Sequence, residues 1–264
     1  MRKLLLTLMV FGSVSVLSSC DVLQGAANQA MKEMNKGGGG LTSAEVVKGL
    51  KEALKIGAEK SVSALSQNDA YFKNQALKIF LPQEAQTVID KLNSSSAGRT
   101  LYNQVLKSTV DDMVLSLNRA AEKAAVKAKP IFVNAITGMT IQDAFGILKG
   151  ADTAATNYLR RTTFNSLVNA YKPEVNTVLN QKILSGKSTN DIYNTFVKNY
   201  NSLATNPLNS YLKLEKVKDT DLADYVTRRG LNGLFTKVAA EEKNIRDNPS
   251  ARVTDILKKV FAQQ

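Results

Sequence analysis

Thr100–Lys129 reads TLYNQVLKSTVDDMVLSLNRAAEKAAVKAK, with neither Gly nor Pro in it. Val110, Met113, Leu117, Ala121, Ala124 and Ala128 recur every three or four residues, so they share one face of a helix. The spacing predicts a long helix over 100–129, ended or kinked at Pro130, whose missing N–H and ring oppose helix continuation. Ala120, Ala121, Ala124, Ala125 and Ala128 crowd one side of it. Small side chains let a neighbouring backbone approach closely, while bulky Leu, Ile and Phe must come from facing helices. A central pair of closely crossing helices, wrapped by the others, is the expectation.

The same period continues on both sides. Thr42-Ser43-Ala44-Glu45 is a capping box, and Val46, Leu50, Leu54, Ala58, Val62 and Leu65 follow it at helical spacing. Pro82 suits the first turn of another helix. Thr140-Ile141-Gln142-Asp143 and Asp152-Thr153-Ala154-Ala155 read as further N-termini, each with an acid near the positive end of the helix dipole. Ser188-Thr189-Asn190-Asp191 opens another helix, and Thr220–Asp247 supports a long one. Asn248-Pro249 breaks it, and Ser250 is expected to cap a last helix running to about Phe261. No stretch sustains the period-two alternation of a strand. The fold class is all-α, a single multi-helix, bundle-like domain of about eight to ten helices.

The chain has 264 residues, 35 Lys and Arg against 23 Asp and Glu, a net charge of +12, no His, no Trp and one Cys. Without His there is no Ser-His-Asp triad, no Cys-His pair and no Glu-x-x-His dimetal site. One Cys excludes an intrachain disulfide and a thiolate cage. Adjacent acids such as Asp111-Asp112 and Glu241-Glu242 point about 100 degrees apart on a helix and make no glycosidase pair. Ser61, Ser108 and Ser185 have Lys nearby, as chance provides in a Lys-rich chain. The reading is of a protein that is not an enzyme and needs no cofactor or metal; a His-independent hydrolase is the distant alternative. Lys is scattered, with short clusters such as Lys213–Lys218 broken by Glu215, and no nucleic-acid recognition motif occurs, so nucleic acid is not an expected partner.

The N-terminus carries the clearest address. Arg2 and Lys3 form a charged start, Leu4–Leu17 an apolar stretch too short for a comfortable membrane span, and Leu17-Ser18-Ser19-Cys20 a lipobox. Residues 1–19 read as a lipoprotein signal peptide, with Cys20 the lipidation site. Residues 20–40 follow as a tether ending in Gly37–Gly40, which behave as flexible coil. The helical domain spans 41–264. This organisation implies a lipid-anchored protein of the bacterial cell envelope, facing the periplasm, its membrane partner reached through acylated Cys20. Inner and outer membrane are left open.

Polar residues inside apolar runs mark the candidate site. Asn118, Arg119 and Glu122 interrupt the alanine stripe. Thr156, Arg160 and Thr163 share a face on the helix after Asp152. Glu241, Glu242 and Arg246 end another, with Arg252 just beyond. These groups read either as a structural ionic network or as an anion-recognition pocket using Arg119, Arg160 and Arg246, whose planar forks suit carboxylate or phosphate. Tyr and Phe recur at helical spacing and read mostly as core; some could line a slot for an acyl chain between helices.

Several strings, in order, carry a family resemblance: Gly49-Leu50-Lys51-Glu52-Ala53-Leu54, Ile79-Phe80-Leu81-Pro82, Asn118-Arg119-Ala120-Ala121-Glu122, and Met139 to Ala144. Gly150 to Thr156 with Tyr158-Leu159-Arg160, Gly230 to Phe235, and Glu241 to Pro249 complete them. Over Leu41–Phe261 the chain resembles a bacterial exported family catalogued as domain of unknown function 4197. Ser185–Asn209, polar and Asn-rich, departs most. The resemblance implies an exported, all-helical, single-domain protein and no particular activity. The function expected is therefore a membrane-anchored binding or interaction module, its partner an envelope protein or an amphiphilic small molecule. The alternative is a carrier of a lipid-like or anionic small molecule in a helix-lined pocket.

Overall fold

The computed structural model describes residues 42–183, 186–206, 215–217, 220–252, 254–255 and 258–259. The expected signal peptide, Cys20, the expected tether, Ser185, half of the Lys213–Lys218 stretch and part of the expected last helix lie outside the described residues. Among those residues there is no strand, only an isolated bridge between Lys182 and Ser188. The helices are α1 (Ser43–Leu65), α2 (Gln83–Asn93), α3 (Ser96–Leu101), α4 (Lys107–Ala125), α5 (Ala128–Thr137), α6 (Ile141–Leu148), α7 (Ala154–Leu179), α8 (Thr189–Thr205) and α9 (Leu222–Asp247). A π turn, Tyr102–Leu106, joins α3 to α4, and α3 to α5 follow one another as one rod, Ser96–Thr137.

Three helices start where their sequence boxes say. Thr42 with Glu45, Thr140 with Asp143 and Ser188 with Asp191 each exchange side chain and backbone hydrogen bonds reciprocally. The helix around Pro130 ends earlier than expected. Pro130 sits in the first turn of α5, and the break falls at Val126 and Lys127. Its ring denies the Val126 carbonyl an i+4 donor, and Lys129 N–H reaches that oxygen instead at 3.4 Å. Asn248, rather than Ser250, caps the turn after α9, a 3₁₀ piece over Pro249–Ala251. Residues 66–82, read as part of a helical pattern, form turns with no helix. α7 continues through Pro173, with Tyr171 and Val175 buried on either side of it.

The core is a trio, α4, α7 and α9, each packed on the other two, with α1 and α5 laid against it. The alanine stripe behaves as expected: Ala120, Ala121, Ala124, Ala125 and Ala128 are fully buried. Gly230 on α9 faces Ala121, so close that an added Cβ would lie 3.2 Å from the Ala121 methyl. One turn on, a Cβ at Gly233 would lie 2.6 Å from the Tyr71 ring, whose hydroxyl donates to the Gly230 carbonyl at 2.7 Å. Phe132 and Phe164 flank Phe235 at 5.9 and 6.4 Å between ring centres. Each such buried aromatic contributes about 1.5–3 kcal/mol by leaving water.

Gly233→Ala therefore drives a methyl into a rigid, fully buried ring and should lower stability by about 1–3 kcal/mol. Gly146→Ala, at an exposed helical position with nothing within 4 Å, should raise it by roughly 0.5–1 kcal/mol. Thermal melts of the two variants check the opposite signs.

Candidate functional site

The sequence-marked polar residues assemble as two separate clusters. In the first, α9 delivers Glu242 beneath the start of α7. Thr153 precedes α7 without any side-chain cap, and Asp152 is exposed and pairs with Lys243 at 3.4 Å. Glu242 does the capping. Its Oε1 accepts Ala155 N–H at 3.0 Å, and its Oε2 accepts Thr156 N–H and Oγ1–H, both at 2.8 Å. These amides have no intrahelical acceptor, and the helix dipole favours the negative charge there. Arg246, one turn along, closes the charge balance: Nη2 donates to Glu242 Oε1 at 2.9 Å and to the Ile147 carbonyl at 2.8 Å. Glu241 points away and pairs with Lys237 at 3.3 Å.

In the second cluster α4 pins the non-helical segment 66–82. Glu122 Oε1 accepts the backbone N–H groups of Tyr71 (3.0 Å) and Phe72 (3.3 Å), and Oε2 accepts Arg119 Nη1 at 2.6 Å. Arg119 Nη2 donates to Asp69 at 2.6 Å. Asp69 holds φ at 69°, the left-handed region, where its short polar side chain is tolerated. Asn118, fully buried, accepts Ile79 N–H at 2.9 Å and donates to the Ile79 carbonyl at 2.8 Å. Asn201 on α8 repeats the device on Val217, at 2.8 and 3.2 Å.

Arg160 joins neither cluster. It is exposed, stacked over the Phe235 ring at 4.7 Å, with Nη1 donating to Asn232 at 3.2 Å. Asn232 and Arg246 lie on one helix about 21 Å apart. Arg119, Arg160 and Arg246 share neither a partner nor a cavity, so no single anion pocket contains all three. Sequence reasoning missed Asp69, which no periodic pattern marks, while Tyr71, which reads among the core aromatics, is fully buried. Phe72 reads among the same aromatics, but sequence reasoning does not foresee its pairing with Phe80 around Lys78.

Charge effects follow the geometry. Hydrogen bonds from Lys73 and then Arg119 hold the Asp69 carboxyl below the usual aspartate range. Burial pulls Arg119 down, but its bonds to Glu122 and Asp69 outweigh it and leave the guanidinium raised. Burial pushes the Tyr71 hydroxyl far up, with Glu122 adding to it.

Three concavities matter. An apolar cavity of about 30 Å³ lies beside Glu242 and Arg246, walled by Leu50, Leu54, Ile147 and Leu159. Two adjoining grooves, of about 380 and 460 Å³, share Lys78, Phe80 and Gln86 beneath α2 and the π turn. The ammonium of Lys78 stands 4.3 Å over the Phe72 ring and 5.6 Å from that of Phe80. Tyr225 on α9 ties the region down by donating to the Phe80 carbonyl at 3.1 Å. Among the described residues no group of three or more acidic or Cys side chains is placed to hold a metal ion, and no single helix is long and apolar enough to cross a membrane.

A family model described as a protein of unknown function (DUF4197) matches residues 40–262, and the chain belongs to that family. No curated protein and no solved structure matches it.

Glu242→Gln leaves Arg246 without its counter-charge and turns an amide N–H₂ toward backbone donors. We expect a loss of about 3 kcal/mol, a fall in melting temperature of roughly 6–12 °C. Arg160→Met, at an exposed cation–π contact, should cost less than about 1 kcal/mol. Stability should be level from about pH 5 to 8, since no His titrates there. Because the folded pKa of Asp69 is depressed, its contribution is complete above the unfolded value of about 3.9 and is lost as pH falls below it. Asp69→Asn should make that acid limb shallower in melts recorded against pH.

Proposed function

We propose that this member of the family is a non-enzymatic interaction module of the bacterial cell envelope. In this reading residues 1–19 are removed, Cys20 is acylated, and the tether carries the helical domain into the periplasm. The observation that supports an interaction module is the apolar face of the lobe made by α2, α3 and the π turn. That lobe buries only Ala85, while Phe80 is 52% and Val105 58% exposed, with Leu101 and Leu106 also open to solvent. Scattered apolar residues are ordinary on a surface, but here Phe80 lines two adjoining grooves that share Lys78, one of them also lined by Arg229 and the other by Tyr102 of the π turn. π turns within helices recur at functional sites. An apolar protein segment flanked by acidic side chains fits this chemistry.

The carrier of a lipid-like or anionic small molecule is the second reading. The cavity beside Glu242 and Arg246 favours it by chemistry, an apolar wall with a charged pair at one end. Its volume of about 30 Å³ weighs against it, being room for about two water molecules and for no acyl chain.

Labelled palmitate should enter the wild-type chain and be absent from Cys20→Ser; equal labelling would overturn the lipoprotein reading. A photocrosslinker at Val105 should give one adduct in intact cells that is absent from a crosslinker at exposed Asn194 and lost in Phe80→Asp. No site-dependent adduct, together with a reproducible added mass on the purified domain in native mass spectrometry, would favour the carrier instead.

A further inference from the structure

The described residues begin at Thr42, and a groove of about 490 Å³ lies against the first turns of α1, where α5 ends and α6 begins. Lys48, Lys51 and Lys55 line it at i, i+3 and i+7, against one acid, Glu52. Lys51 is held in place by donating to the Thr137 carbonyl at 2.8 Å, while Lys48 and Lys55 are exposed. The floor is apolar: Val47, Val133 and Ile136. Ile141, at the first position of α6, lines the same groove and is 50% exposed. Cations on long apolar stems beside half-buried Val133 and exposed Ile141 match a surface that is anionic outside and hydrocarbon within.

We propose that this groove is the face by which the domain rests on an anionic phospholipid bilayer. The lysines meet the headgroup phosphates and Ile141 enters the acyl boundary. The length of chain outside the described fold makes the contact reachable. The segment from Cys20 to Thr42, 22 residues on, is long enough to reach at most about 75 Å. A bilayer held at Cys20 is thus presented to α1 at high effective concentration. The orientation rests on the lipoprotein reading; the charge and shape of the groove do not. With the domain lying on this face, the bilayer fixes how the lobe of α2 and α3 is presented to partners.

The test uses the mature chain from position 20 carrying Cys20→Ser, so that no acyl chain contributes. It should sediment with vesicles of equal parts phosphatidylcholine and phosphatidylglycerol and remain in solution with phosphatidylcholine alone. Lys48→Glu with Lys55→Glu should weaken the partition by about thirty-fold, with an unchanged melting temperature. Lys123→Glu with Lys198→Glu, exposed and outside the groove, changes net charge equally and should weaken it far less. Equal losses from the two pairs would overturn the proposal, as would equal sedimentation with neutral vesicles or none with anionic ones. Failure of palmitate labelling at Cys20 would be seen separately and would leave this partition unchanged.

Discussion

Two glutamates buried in the helical trio, Glu122 and Glu242, fix the parts of the chain that helices alone do not. Each sits on a long core helix and reaches backbone N–H groups on a distant segment, and each is balanced by an arginine on its own helix. An unpaired carboxylate at these depths would cost several kcal/mol, and so would the orphaned amides. Together they satisfy each other. Glu242 thereby sets where α7 begins, and α7 is the helix most extensively packed on α9. Glu122 and Asn118 shape residues 66–82 into turns, which place Tyr71 against Gly233 and leave Phe72 and Phe80 at the surface.

This arrangement commits Arg119 and Arg246 to structure. The arginines that looked suited to an anion are already engaged: Arg246 with Glu242 and two carbonyls, Arg119 with Glu122 and Asp69. The two surfaces proposed for partners are peripheral. One surface is the aromatic and lysine groove under α2, the other the lysine groove along α1. The first is lined in part by α4 and α9 of the trio, the second by α1, α5 and α6.

Much of the architecture was legible in the residues because helix starts and helix faces are local. The boxes Thr42–Glu45, Thr140–Asp143 and Ser188–Asp191 close within three residues, and the alanine stripe shows its face within one segment. The candidate site was legible only as a set of odd residues. Glu242 meets Thr156 across 86 positions and Asn118 meets Ile79 across 39, and no periodicity encodes such pairings. Asp152 looked like the cap of α7 because an acid beside an N-terminus is the local pattern, whereas the acid that caps it comes from another helix. Arg160 shared a face with Thr156, yet its guanidinium lies at the surface over the Phe235 ring and bonds Asn232. Pro173, a helix breaker by local rule, lies inside α7 with Tyr171 and Val175 buried on either side.

Amide hydrogen exchange, resolved residue by residue in the wild-type domain, tests the central role of the two carboxylates most directly. Ala155 and Thr156 lie in a first helical turn and Tyr71 in a turn segment, positions whose amides ordinarily exchange fast. If Glu242 and Glu122 clamp the fold, these three amides exchange as slowly as those of Leu117 and Leu234 in the core helices. Exchange at the rate of the exposed loop amides, with the core still protected, would contradict the account.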